Sequence, residues 1–174
     1  SHSRCPVING LSDDRHPCQA LTDLLTLLEV FGDLIGRKLV FIGDGNNIAS
    51  SLAIAASILK IPMTICTPPN YSINADVQSE LQRRFPDADV SHSSDPAEAL
   101  KDADVIYTDV WASMGQESES GQRHRDFSNY QVNAQLMAQA PEQACFLHCL
   151  PAHRGEEVTG EVIDGPQSAV LDQA

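Results

Sequence analysis

Apolar and polar positions along this chain follow two alternating patterns. Between 17 and 31, Ala20, Leu21, Leu24, Leu25, Leu27, Leu28 and Phe31 recur at helical spacing, and Gly32 and Gly36 end the run. Residues 38–42, KLVFI, carry a continuous apolar run after Lys38 and predict a buried strand. The turn GDGNN follows, then a helix over 48–59 whose Ala49, Leu52, Ala53, Ala55 and Ala56 allow close packing on a sheet. Strand 63–66, a helix over 75–85 stopped by Pro86, and a weakly marked strand at 89–92 come next. Asp95 is placed to cap a short helix reaching 103, with Pro96 at its first position, and 104–108 reads as a fourth strand. Residues 109–121 lack apolar periodicity and read as a long loop. The pattern predicts a broadly helical 126–140, a fifth strand over 144–150, and a short helix plus an extended piece over 158–170.

Strands alternating with helices predict an α/β fold. It is a doubly wound, Rossmann-like parallel sheet of about five strands in the order 3-2-1-4-5, with helices on both faces. The first 31 residues fit this alternation poorly. Val7-Ile8 reads as a lone strand without a partner, and the helix after it asks for more apolar surface than the rest offers. Both point to a chain that starts part-way through a larger protein.

In such sheets ligands bind at the carboxyl ends of the strands, near the point where the strand order reverses. Three polar features fall there. Asn46 and Asn47 follow the first strand, Asp109 follows the fourth in YTDVWASMGQE, and Cys149 closes the fifth in FLHCLPAHRGEEV. The expectation is one crevice holding Asn47, Asp109, Ser113 and Cys149, with Asn46 capping the second helix and the Asn47 amide free for a polar ligand. GDGNN does not complete a dinucleotide fingerprint. Ile48 stands where a Gly or Ala is needed, and Thr67-Pro68-Pro69 replaces the acidic residue expected after the second strand. No cofactor is expected.

Composition narrows the partners. The chain has 174 residues and a formal net charge of −13, from 24 acidic and 11 basic residues. That balance gives no general attraction to nucleic acid or anionic membranes. No apolar run approaches the ~20 residues of a membrane helix, and Ser1 to Pro6 carries no signal-peptide core. The five cysteines include no CxxC pair, so neither a disulfide framework nor a zinc knuckle is expected, and a reducing, cytoplasmic setting fits best. Cys145 and His148 read as core residues, and Trp111 as a packing anchor. Cys149 remains open among nucleophile, metal ligand, core residue and substrate-handling group. His16 and Gln19 lie three apart at the start of the first helix, an end that attracts anions and carbonyl oxygens.

Four stretches, HPCQALTDLLTLLE, FIGDGNNIASSL, YTDVWASMGQE and FLHCLPAHRGEEVTGEVID, together resemble the aspartate/ornithine carbamoyltransferase family, in the family's order and over nearly the whole chain. DVWASMG and HCLP resemble the ornithine branch most closely. The resemblance implies two α/β domains, the first for carbamoyl phosphate and the second for ornithine. Here 1–34 would be the end of the first domain and the interdomain helix, and 35–174 the ornithine-binding domain without the family's final helix. The family's STRTR motif and its Glu-Asn-Arg segment are not in this sequence.

Roles follow by the same resemblance. Asn47, Asp109, Ser113 and Met114 would bind ornithine, with Asp109 facing its side-chain amine. His16 and Gln19 would contact the carbamoyl group, and Cys149 and Leu150 would line the reaction centre, the Leu150 carbonyl near the carbamoyl nitrogen. Cys149, Asp109 and His16 would be the catalytic set, without metal. The full enzyme would be a homotrimer turning carbamoyl phosphate and ornithine into citrulline and phosphate in arginine metabolism, and this chain alone would have little activity. A transcarbamoylase for another amine and a non-catalytic amino-acid-binding module are the alternatives.

Overall fold

The computed structural model describes residues 4–112 and 117–174. Helix α1 (Pro17–Phe31) leads into β1 (Leu39–Ile42), α2 (Asn47–Leu59), β2 (Met63–Cys66), α3 (Ala75–Arg84), β3 (Val90–Ser93), α4 (Pro96–Leu100) and β4 (Val105–Thr108). Then come α5 (Ser120–Asp126), α6 (Ala134–Met137), β5 (Cys145–His148), α7 (Gly160–Ile163) and α8 (Val170–Gln173). The five strands form one parallel sheet in the order β3-β2-β1-β4-β5, as the alternation predicts. Leu39 is level with Met63 on one side and with Val105 on the other, so the central strands end together.

β1, β2, β4 and β5 are buried along their whole length because both sheet faces are covered. Successive side chains alternate between two cores. Leu39, Phe41, Ile65, Tyr107 and Leu147 pack with Ala20, Leu24 and Leu27 of α1 and the inner face of α2. Val40, Ile42, Ile106 and Phe146 pack with Leu100, Met137 and Ile163 on the other face. β3 pairs only with β2 and stays partly exposed, and that half-exposure explains its weak apolar signature.

Three local expectations are corrected. Val7 and Ile8 are 73% and 84% exposed and lie in no strand. The long loop ends before 121, because α5 begins at Ser120. The broadly helical stretch is broken: after α5 come a short 3-10 turn at Ser128–Tyr130 and a bridge from Val132 to Val158, before Asn133 caps the four-residue α6. Paired at Val132, the backbone cannot also continue a helix.

Candidate active site

Three strand ends converge on one carboxylate. Asn46 accepts from the Ile48 and Ala49 backbone N–H groups at 3.0 and 3.1 Å, capping α2, and this fixes its amide. That amide donates to Asp109 Oδ2 at 2.7 Å. Asp109 Oδ1 accepts from its neighbour Val110 N at 2.8 Å and from the Cys149 thiol at 3.2 Å. Burial, then the adjacent Asp109 charge, pushes the Cys149 thiol far above its ordinary value. It is a protonated donor, not a thiolate. A metal-ligand role is also disfavoured, since both ring nitrogens of neighbouring His148 are engaged.

Behind this pair runs a polar chain that sequence reasoning missed. Tyr107 is fully buried, and burial, then the nearby Cys149, pushes its phenol well up. Gln173 of α8 donates to the Tyr107 hydroxyl at 3.2 Å and to Asp23 Oδ1 at 2.6 Å, while its own oxygen accepts from His148 N at 2.9 Å. Gln19 donates to the same Asp23 oxygen at 2.8 Å. Asp23 is wholly buried, and burial raises its carboxyl. The available signal was its place on the apolar face of α1, beside Ala20, Leu24 and Leu27.

The chain leaves the site through an unusual backbone. Leu150 has φ of 56°, left-handed for a side chain that disfavours it, and the Leu150–Pro151 bond is cis. His148 Nδ1 accepts from Leu150 N at 2.9 Å. Its Nε2–H therefore donates to the fully buried Glu157 at 3.1 Å. The buried histidine is satisfied, and it braces the turn that carries Cys149.

A cleft of about 860 Å³ opens beside these strand ends, lined by Asp13, Asp44, Asn46, Asn47, Tyr71 and Arg123 among others. Its floor needs glycine: a Cβ on Gly45 would stand 2.3 Å from the Ser72 and Ile73 backbone. Buried Arg123 donates to Asp44 Oδ2 at 2.7 Å and to the Trp111 carbonyl at 2.8 Å, and stacks over Tyr71. Trp111 is buried against Phe127, as expected of an anchor.

Several expected site residues are placed differently. The Asn47 amide is not free; it donates to the Ser12 carbonyl at 2.9 Å, drawing the segment before α1 over the cleft. Gln19 turns along its helix to Asp23 and away from the helix N-terminus. His16 donates through its backbone N–H to Ser51 at 2.8 Å, and its buried Nδ1 has no partner among the described residues. Leu150 is 39% exposed. Ser113 and Met114 lie outside the described residues.

Among the described residues no helix is long and apolar enough to cross a membrane. Residues 35–174 match the family described as aspartate/ornithine carbamoyltransferase, Asp/Orn binding domain, and residues 1–29 match its carbamoyl-P binding domain. An ornithine carbamoyltransferase of Oceanobacillus iheyensis is 53% identical over 99% of this chain and 54% of its own length. One from Methanobrevibacter smithii is 49% identical over 99% of this chain and 58% of its length. The solved ornithine carbamoyltransferase of Pyrococcus furiosus superposes with a TM-score of 0.93 at 49% identity, covering 99% of this chain and 56% of that one. This chain thus spans a little over half the length of the relatives it matches. On those matches, and on a sheet whose strand ends carry the crevice, the chain belongs to the aspartate/ornithine carbamoyltransferase family.

Proposed function

We propose that this chain is the ornithine-binding part of an ornithine carbamoyltransferase. In this reading 35–174 form the ornithine domain, while 1–34 are the end of the carbamoyl phosphate domain and the linking helix. The observation that carries it is the Cys149–Asp109 contact of 3.2 Å at adjacent strand ends, beside a cleft lined by Asp13, Asp44 and Asp126. An acidic cleft attracts a diamine amino acid. Leu21 and Leu25 of α1 remain 66% and 55% exposed, surface that the rest of the first domain would cover. The homotrimer belongs to the same reading, as does a cytoplasmic setting, which suits five cysteines without a CxxC pair.

The side-chain ammonium of ornithine resembles that of lysine, whose pKa is about 10.4, and must lose a proton before it can attack. Asp109 accepts a hydrogen bond from that amine and orients it. The protonated Cys149 keeps its hydrogen bond to Asp109 and occupies the wall beside the nitrogen. The neutral amine nitrogen then bonds to the carbamoyl carbon, the carbon–oxygen bond to phosphate breaks with its electron pair going to phosphate, and the departing phosphate takes the amine proton, giving citrulline and phosphate. His16, whose Nδ1 is unpartnered among the described residues, supplies a donor for the developing oxyanion. Gln19 contacts the carbamoyl group after turning from Asp23. Leu150 offers its carbonyl to the carbamoyl nitrogen. Asn47 releases Ser12 to hold the amino-acid end of ornithine with Ser113 and Met114.

Calorimetry with ornithine tests this. Binding is expected, and Asp109→Asn should abolish it. Equal binding of ornithine and norvaline, which lacks the side-chain amine, would sink the assignment.

A further inference from the structure

The segment before α1 is pinned to two different helices. At the N-terminus of α2, the Asn47 amide donates to the Ser12 carbonyl at 2.9 Å. At the other end of the same turn, Arg15 Nη2 donates to Glu80 Oε2 of α3 at 3.0 Å.

Both pins act on one piece of chain. Ser12 N donates to the Arg15 carbonyl at 2.8 Å, and Ser12 Oγ donates to the same oxygen at 3.2 Å. Asn9 Nδ2 in turn donates to Ser12 Oγ at 3.2 Å. Residues 12–15 therefore shift together, and a pull on the Arg15 side chain is felt at the Ser12 carbonyl.

The α3 end is braced. Glu80 Oε1 accepts from Arg84, one helical turn along, while Oε2 is the oxygen that meets Arg15. The Arg15 and Glu80 side chains keep 27% and 25% of their surface exposed. A pair this exposed is weak and is screened by salt. It biases the turn without locking it.

The group that the turn occupies gives the pair its meaning. Asn47 spends on a neutral backbone carbonyl the N–H bond it would give to a ligand carboxylate, and a carboxylate is the stronger acceptor. Leu11, Ser12 and Asp13 line the same cleft as Asn47. The Ser12 carbonyl thus stands in for one end of an amino acid.

We propose that Arg15 and Glu80 are positioning residues for substrate entry: their ion pair holds the 12–15 turn on Asn47, and ornithine binds by displacing the Ser12 carbonyl. This rests on the ornithine reading, because it needs Asn47 to take the amino-acid end of that substrate. Closure of the turn lowers the apparent affinity by the fraction of molecules left open. Loosening the pair therefore makes binding tighter, whereas loss of a pair that only supported the fold would leave binding unchanged or weaken it.

The test is calorimetry with ornithine on the 174-residue chain and on its Glu80→Gln, Arg15→Gln and doubly substituted variants. Glu80→Gln is the stringent variant, since removing an acidic charge by itself weakens attraction of a cationic substrate. Each single variant should bind ~2–5-fold more tightly, and the double variant no more tightly than the singles. The gain should shrink as salt is raised. Hydrogen exchange at the Ser12 amide should quicken in the same variants. Both side chains are half-exposed, so circular dichroism should show every variant folded. If the unsubstituted chain binds ornithine and Glu80→Gln binds it no better, the latch is wrong and the ornithine reading stands. Additive gains in the double variant, or unchanged exchange at Ser12, would also overturn the latch alone. Absence of ornithine binding by the unsubstituted chain and by every variant would overturn both.

Discussion

Asp23 and Asp44 are both acidic residues taken out of water, and the protein treats them in opposite ways. Asp44 meets a guanidinium at 2.7 Å, so its charge is balanced by another buried charge. Among the described residues Asp23 accepts from the amides of Gln19 and Gln173 at 2.8 and 2.6 Å, with no guanidinium beside it, and its second oxygen has no hydrogen-bond partner. Burial raises both carboxyls, and at Asp44 the Arg123 charge offsets part of that rise. The lesson concerns what each residue supports. Asp44 holds a cation in the cleft wall and is needed as a charge. Asp23 organises amides and a phenol behind Cys149 and is needed as a shape.

The largest test of that contrast is Asp44→Asn. It strands the Arg123 guanidinium, 6% exposed, with only the rim carboxylate of Glu119. Urea unfolding should show a loss of about 3 kcal/mol. Gln173→Ala comes next. It removes donors to Asp23 and Tyr107 and the acceptor for His148 N, and should cost about 2 kcal/mol by the same measurement.

Asp23→Asn should change stability by no more than about 1 kcal/mol at pH 7, because its oxygen still accepts from both glutamines. A loss matching that of Asp44→Asn would erase the distinction. The pH dependence sharpens it further. Asp23 has a folded pKa above the ordinary 3.8, so the folded chain keeps a proton that the unfolded chain releases. Stability therefore falls as pH rises from about 3.8 through the raised value, and Asp23→Asn should flatten that descent. The smallest effect is chemical: Cys149, protonated and half-buried, should alkylate with iodoacetamide more slowly than exposed Cys18 at pH 8, as read by peptide mass mapping.

Strand ends were legible in the sequence, and side-chain partners were not. LVFI, VIYT and CFLH announce themselves because a parallel strand buried on both faces must be apolar throughout. Once their order followed from the alternation, Asp109 and Cys149 had to be near one another. Asn47 was misread as free because its partner, the Ser12 carbonyl, lies 35 residues earlier in a segment without periodicity. Gln19 has two neighbours that helix geometry allows, the N-terminus and Asp23 four residues on, and here its amide bonds the buried Asp23. The 126–140 stretch failed because its helical signal was overruled by pairing with Val158, a tertiary event.

The bond from Gln173 to Asp23 spans 150 residues. During synthesis at 5–20 residues per second, α1 waits roughly 8–30 s for the residue that completes the polar backing of Cys149. Until then the only amide that Gln173 will join at Asp23 is that of Gln19, four residues earlier on the same helix. The contact that ties α1 to α8 is therefore the last of this polar group that synthesis makes available.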